Sequence, residues 1–451
     1  MSNTSRGVPA RATLAAVAAL AALLAAGASA GAQEGGSGLR SKFALVAKIG
    51  DQPGGLFSLQ GGVSFGPSGA LYGTAQERGP LGWGGVYEIV LPTATSKLSF
   101  TTIFAFPGYG MPVDDVAFDS SGAIFGEMQV GPSHANCGLG YCGAIYKLTP
   151  PTPPATAWTG EDIHNFSAAG PNRPLGGLAI DATGALYGAT NFGGAGGVGG
   201  PNAGAIFRLS PPTSSGAPWK ATVLHTFGQA FGDGSYPSGG PIFGKDGALY
   251  GLLYLGPGVN QGAVYRLAPP VPPSQRWTEA ILYAFPGGTD AAQPADRLAF
   301  DTQGALYGVS QQGGGTGCGG TGCGTIFRLS PPSASDAPAP WKETVLYAFQ
   351  GGADGANPVG PLVLDASGAL YGATTSGGVD GCFGFGCGTV FALTPPKPPI
   401  VQWSHAVLHA FPNGDAGDGP IDGLTADKRG RLFGATFAGG ANDAGVVFEL
   451  H

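Results

Sequence analysis

Charge is scarce in this chain. Asp, Glu, Lys and Arg make up 11% of its 451 residues, 28 acidic against 21 basic, for a formal net charge of -7. So weak a basic complement disfavours a nucleic-acid partner. Long apolar runs are also missing beyond the N-terminus: no later segment reaches spanning length without Gly, Pro or charge, so no membrane span is expected in the mature chain. No His-Glu-x-x-His pair, Walker loop or dinucleotide fingerprint set between strand and helix occurs, which removes the common sequence signs of metalloprotease and nucleotide chemistry. The sequence identifies no reaction.

The N-terminus has the pattern of a secretory leader. Arg6 and Arg11 precede an Ala/Leu-rich run from Leu14 to Ala26, and Ala28-Ser29-Ala30 or Ala30-Gly31-Ala32 offers small residues for cleavage. We expect residues 1–32 to be a signal peptide and 33–451 a single exported domain, secreted or periplasmic. Losing Arg6 and Arg11 with the leader moves the formal charge from -7 to -9. No Cys lies near the cleavage site, so a lipid anchor is not expected there.

What is abundant is glycine, 84 residues, and proline, 39, a composition that without period would indicate disorder. Here both recur at fixed places. Seven copies of Gly-x-(Leu/Ile)-(Tyr/Phe)-Gly run through the chain, with the aromatic at Tyr72, Phe125, Tyr187, Tyr250, Tyr307, Tyr371 and Phe433. Each is followed by a Gly-rich stretch and then Gly-x-(Ile/Val)-(Tyr/Phe). A unit of that size cannot bury its apolar face alone and must share a core with its neighbours.

Copy six shows the unit: Trp341 to Phe349, a Gly/Asp/Asn loop to Pro358, Leu362 to Asp365, Gly368 to Gly372, and Gly388 to Leu393. Alternation, β-branched and aromatic residues and Gly/Pro/Asp boundaries make these four strands. Asp365-Ala-Ser-Gly368 reads as a tight turn, and Asp119, Asp181, Asp301 and Asp427 hold the same position in other copies. Trp158, Trp219, Trp277, Trp341 and Trp403 each stand six residues before a Tyr or His and eight before a Phe, which is the spacing of a packing element. The expected architecture is all-β: a seven-bladed β-propeller of four-stranded antiparallel blades. An open β-solenoid is the competing arrangement. Because Phe43 to Ile49 matches the Trp-bearing strand and Gly445 to Leu450 ends the last copy, the N-terminal strand should close the ring against the C-terminal one.

Written as Phe-x-Gly-x-Asp-Gly-x-x-Pro, Leu-x-x-Asp-x-x-Gly-x-Leu-Tyr-Gly-x-Thr and Gly-x-Val-Phe-x-Leu, the unit resembles the GloVer tandem-repeat family of exported bacterial proteins, best over Phe349 to Leu393 and His409 to Leu450. The resemblance implies repeat architecture on an exported protein and transfers no catalytic residue. Relatives often end in a sorting or anchor module; here the last strand runs to His451, which puts surface anchoring in doubt.

Three groups of residues are candidates for chemistry. The cysteines form pairs Cys137/Cys142, Cys318/Cys323 and Cys382/Cys387 with common spacing in copies two, five and six, expected as local disulfides of an exported protein, with zinc the alternative. The histidines His164, His225 and His409 take the strand position that Tyr283 and Tyr347 fill elsewhere, which is a packing role; His134 stands alone in a loop. Counting back eight residues from the turn glycines gives Gly61, Asp114, Gly176, Gly239, Asp296, Gly360 and Asp422. Asp114, Asp296 and Asp422, with Asp115 beside the first, could bind calcium or a polyhydroxyl ligand at a channel mouth, or be plain solvated carboxylates at strand entry. Asp233-Gly234 and Asp354-Gly355 are turn residues first and calcium loops second.

The leading functional expectation is a secreted, non-enzymatic propeller, monomeric and without a cofactor, that binds a glycan, an envelope component or another protein on its loop-rich face. The alternative is a secreted hydrolase or lyase acting on carbohydrate or lactone through a channel-mouth metal or carboxylates.

Overall fold

A computed structural model describes residues 42–451 apart from 52–57, 77–82, 94–95, 109, 132–141, 194–202, 215, 231, 259–260, 334–339 and 380. The expected signal peptide, His134 and Cys137 lie outside the described residues. Strands group into seven antiparallel sheets, the blades of a β-propeller. In blade 6, for example, the strands Ala356–Leu364, Leu370–Ser376, Thr389–Thr394 and Ser404–Ala410 pair in chain order. First strands touch the first strands of adjacent blades and so ring the axis, while the Trp-bearing strand is the outermost. The inner strand begins at Ala356, before the expected Leu362, because Pro358 already pairs with Thr374 ahead of a bulge between Val359 and Val363. In blade 4 the inner strand is split into Ser235–Pro237 and Ile242–Phe243 around Gly239 and Gly240.

Ring closure is as the sequence predicts. Phe43–Lys48 pairs antiparallel with Val446–Leu450, from Phe43 opposite Leu450 to Lys48 opposite Val446, and forms the outer strand of blade 7. Sealing the ring this way leaves no inter-blade gap and hides a sheet edge.

The motif glycines have a packing reason. Each Gly of Tyr/Phe-Gly lies under the aromatic of the third strand: a Cβ at Gly308 would stand 2.5 Å from Phe327 Cζ, and Gly372 and Gly434 meet Phe391 and Phe448 in the same way. All three Phe rings are fully buried, each worth roughly 1.5–3 kcal/mol by area removed from water. The tryptophans pack between blades, Trp158 against Tyr72 with centroids 6.5 Å apart and Trp277 against Tyr187 at 6.2 Å. The turn aspartates act as expected. Asp365 Oδ1 accepts the Ser367 and Ala369 amides at 2.8 and 2.9 Å, and its Oδ2 accepts the Tyr371 hydroxyl at 3.2 Å.

Antiparallel order puts the first–second turns and the Pro-rich third–outer connectors on one face. The second–third loops and the links to the next blade lie on the other, the loop-rich face. There Cys318–Cys323 and Cys382–Cys387 are disulfides, and Cys142 is disulfide-bonded as well. Asp354 Oδ2 accepts the Gln350 amide at 2.7 Å and Asp233 Oδ2 that of Gln229 at 3.0 Å, which is turn chemistry in both loops. Among the described residues no helix is long and apolar enough to cross a membrane.

Candidate functional site

The axial position that alternates between Gly and Asp is a bulge. In blades 2, 5 and 7 the inner strand shifts register between Val113 and Ala117, Ala295 and Ala299, and Ile421 and Thr425. Asp114, Asp296 and Asp422 sit in these bulges at φ 56°, 61° and 56°, as Gly176 and Gly360 do at 85° and 74°. That left-handed conformation selects Gly and, among other residues, Asp or Asn. Adjacent blades also approach too closely here for a side chain on both: a Cβ at Gly239 would strike the Asp296 carbonyl, and one at Gly61 the Asp114 carbonyl.

Each aspartate then binds across to the next blade. Asp114 Oδ2 accepts the Gly176 amide at 2.8 Å, Asp296 Oδ2 the Gly360 amide at 2.5 Å, and Asp422 Oδ2 the Gly62 amide at 3.1 Å. The three are therefore inter-blade ties on the inner strands rather than solvated carboxylates at strand entry. They are divided among blades 2, 5 and 7. Among the described residues the three donors that converge within 4.8 Å are a different set, His225, Asp233 and Glu279.

A guanidinium supplies the positive charge at the axis. Arg297 of blade 5 reaches Asp115 of blade 2, and Ser64 of blade 1 donates to Asp115 Oδ2 at 3.3 Å. The pair is ringed by protein yet keeps 20% and 22% of its side-chain surface open to the channel. Glu127 is fully buried, its Oε2 accepting the Gly177 amide at 3.0 Å. Burial would lower the Arg297 pKa, but Asp115, Asp422, Asp114 and Glu127 together hold it above its ordinary value. Burial and then the charge of Asp422 push Asp114 up to about 7 and Asp296 up to about 6. Burial and then Asp114 push Glu127 well above the usual carboxylate range.

A pH dependence follows. The unfolded Asp114 releases its proton near 3.8 and the native one near 7, so over that interval the native state binds more protons and stability falls as pH rises. His409, buried and lowered from 6.5 to about 4, opposes this only below pH 6.5. Between pH 6.5 and 8 the melting temperature should therefore decline, with Asp114 accounting for about 1 kcal/mol, and Asp114→Asn should flatten the slope. A wild-type profile that is level over this range would contradict the assignment.

Sequence reasoning missed Arg297 and Glu127, although a signal was present. Aligned on the bulge, the position after it reads Gly62, Asp115, Gly177, Gly240, Arg297, Pro361 and Gly423. Its two charged members are the pair that meets across the axis, and Glu127 is the only charged residue at the place after Tyr/Phe-Gly.

Above this ring, on the loop-rich face, lies a cleft of about 520 Å³ over blades 3 to 5. It is lined by Phe192, Tyr236, Tyr254, Asn191, Gln311 and Asp296 among others. Tyr254 is 41% exposed, Phe192 and Tyr236 meet edge to face at 5.8 Å, and Arg173 lies over Phe192 at 5.0 Å. Tyr236 has φ 59°, and the equivalent inner-strand starts Ser58, Arg173, Gln293 and Asn357 have φ 61°, 56°, 51° and 55°. An L-residue there costs about 1–2 kcal/mol relative to glycine. The chain nevertheless displays five different side chains round the mouth, with Arg173 and Asn357 exposed.

Residues 59–322 and 317–451 match the Gloeobacter/Verrucomicrobia repeat family. The chain belongs to that family. No curated protein matches it in sequence. Among solved structures it is similar to the PQQ-bound aldose sugar dehydrogenase of Streptomyces coelicolor, at 12% identity and TM-score 0.42, over 92% of this chain and 99% of that one. It is also similar to a glucose dehydrogenase, at 13% and 0.41, over 90% and 99%, and to a luciferin-regenerating enzyme at 10% and 0.38, over 74% and 89%. Likeness at this level transfers no activity.

Proposed function

We propose that this family member is an exported binding propeller that takes a glycan in the loop-rich cleft over blades 3 to 5. One observation carries the reading. Tyr236 occupies a backbone conformation that favours glycine, in a cleft that adds Phe192 and Tyr254 to the amides of Asn191 and Gln311. Strain retained where a smaller residue would relieve it is a mark of function. Aromatic faces flanked by amide and carboxylate groups suit the apolar ring faces and hydroxyls of a sugar. Asp114, Asp296 and Asp422 each accept an amide of a neighbouring blade, and the reading invokes no calcium ion there.

The test is calorimetry against a polysaccharide panel with Tyr236→Gly and Tyr254→Ala. Tyr236→Gly should leave the melting temperature unchanged or higher while weakening glycan binding at least tenfold. No saturable polysaccharide, or undiminished binding in both variants, would direct the search to protein partners. Asp296, lining the same cleft with its pKa pushed up to about 6, supports a second reading as hydrolase or lyase. In that case Asp296→Asn should abolish turnover and spare binding.

A further inference from the structure

At the junction of blades 3 and 4, away from the axial ring, three donors from separate segments converge. His225 lies on the outer strand Lys220–Thr226, Asp233 in the link to blade 4, and Glu279 on the next outer strand, Thr278–Ala284. One ligand atom from each lies within 4.8 Å of the others. His225 Nε2 is 3.0 Å from Asp233 Oδ1. Asp233 is held by its other oxygen, which accepts the Gln229 amide at 3.0 Å. Phe227 fixes the imidazole edge to face at 4.7 Å. Glu279 Oε1 is buried with no hydrogen-bond partner, an expensive state for a carboxylate oxygen that no cation meets.

We propose that His225, Asp233 and Glu279 form a zinc site, the fourth coordination place opening to the cleft of about 680 Å³ that His225, Gln229 and Trp277 help to line. Donors at 2.0–2.2 Å from a tetrahedral ion stand about 3.4 Å apart, so the His225–Asp233 contact needs to widen by only a few tenths of an ångström. Two carboxylates and a neutral imidazole balance a divalent charge. The imidazole favours zinc over calcium, which takes six to eight oxygens.

The repeat provides its own controls. At the blade 4–5 junction the same places hold Tyr283, Asp290 and Glu343, the Tyr283 hydroxyl donating to Asp290 Oδ2 at 2.8 Å. At the blade 5–6 junction they hold Tyr347, Asp354 and His405, with Tyr347 donating to Asp354 Oδ1 at 2.6 Å and His405 Nδ1 3.2 Å from that oxygen. Glu343 Oε1 is buried without a hydrogen-bond partner just as Glu279 Oε1 is, but neither set joins an imidazole to two carboxylates, and it is that convergence which marks the blade 3–4 junction. The arrangement also shows how to remove the site without removing the packing: His225→Tyr reproduces the Tyr–Asp pair of the neighbouring copies, and Glu279→Gln is isosteric.

Titration of the mature protein with zinc chloride, followed by calorimetry and by melting, should give one saturable site. His225→Tyr and Glu279→Gln should each weaken it at least tenfold while melting like the wild type in EDTA, and His405→Gln should leave it intact. Wild-type zinc affinity in either site variant, no saturable zinc, or saturable calcium in place of zinc would overturn the proposal.

Discussion

Arg297→Met is expected to destabilise the propeller by about 3–5 kcal/mol at pH 7.5, the usual effect of breaking one side of an enclosed ion pair. The guanidinium pairs with Asp115 across the axis and stands in the field of Asp114, Asp422 and Glu127. Without it, carboxylates from blades 2 and 7 face one another with no counter-charge. Methionine retains most of the stem volume, so the loss reports charge rather than a cavity. Two readouts separate this from simple misfolding. The deficit should shrink as pH falls toward 6, because the carboxylates already bind protons more readily than free ones do. Asp115→Asn should rescue part of the loss, with a coupling energy of about 1–3 kcal/mol in the double-mutant cycle. Strictly additive effects would mean that the pair does not hold blades 2 and 5 together.

Deleting the strand Phe43–Lys48 should have the larger structural consequence. It pairs along Val446–Leu450, Phe43 stacks on His409 at 3.7 Å, and Val46 and Ala47 are buried in a cluster shared with Leu59 and Tyr87 of blade 1 and Val447 of blade 7. The strand thus seals blade 7 and presses it against blade 1. Its removal uncovers a row of backbone donors and acceptors that invites pairing with another chain. The expected outcome is a melting temperature lowered by at least about 10 °C, or loss of the cooperative transition, together with concentration-dependent oligomers in sedimentation. A peptide spanning residues 41–50 supplied in trans should reverse both by strand addition. A truncated chain that melts like the full one would show that the ring does not depend on this strand.

The particular residues show where sequence reading reached and where it stopped. Blade count, strand order within a blade, the turn aspartates, the packing tryptophans and the disulfide pairs Cys318–Cys323 and Cys382–Cys387 were legible, because each recurs with the repeat and rests on local chemistry; the closing strand was legible because Phe43 to Ile49 matches the Trp-bearing strand with no copy before it. Asp114, Asp296 and Asp422 were legible as equivalent positions but not in their role. Their carboxylates serve amides of the following blade, a relation between residues about sixty apart, or on opposite ends of the chain for Asp422 and Gly62. Arg297 and Glu127 stood out only as exceptions at aligned positions. His225 looked like a tyrosine substitute on its strand, which it is, and its approach to Glu279 depends on how two blades abut.

By itself, then, the sequence determined the unit and its repetition. Period-2 strands, glycines beneath aromatic rings and aspartate turns are set by contacts within one copy and are written again in every copy. Tertiary structure decided what lies between copies: the Asp115–Arg297 pair across the axis, the cleft over blades 3 to 5, and the His225–Asp233–Glu279 cluster. The reason is geometric, since residues distant in the chain become neighbours only when the ring closes and fixes the angle between blades.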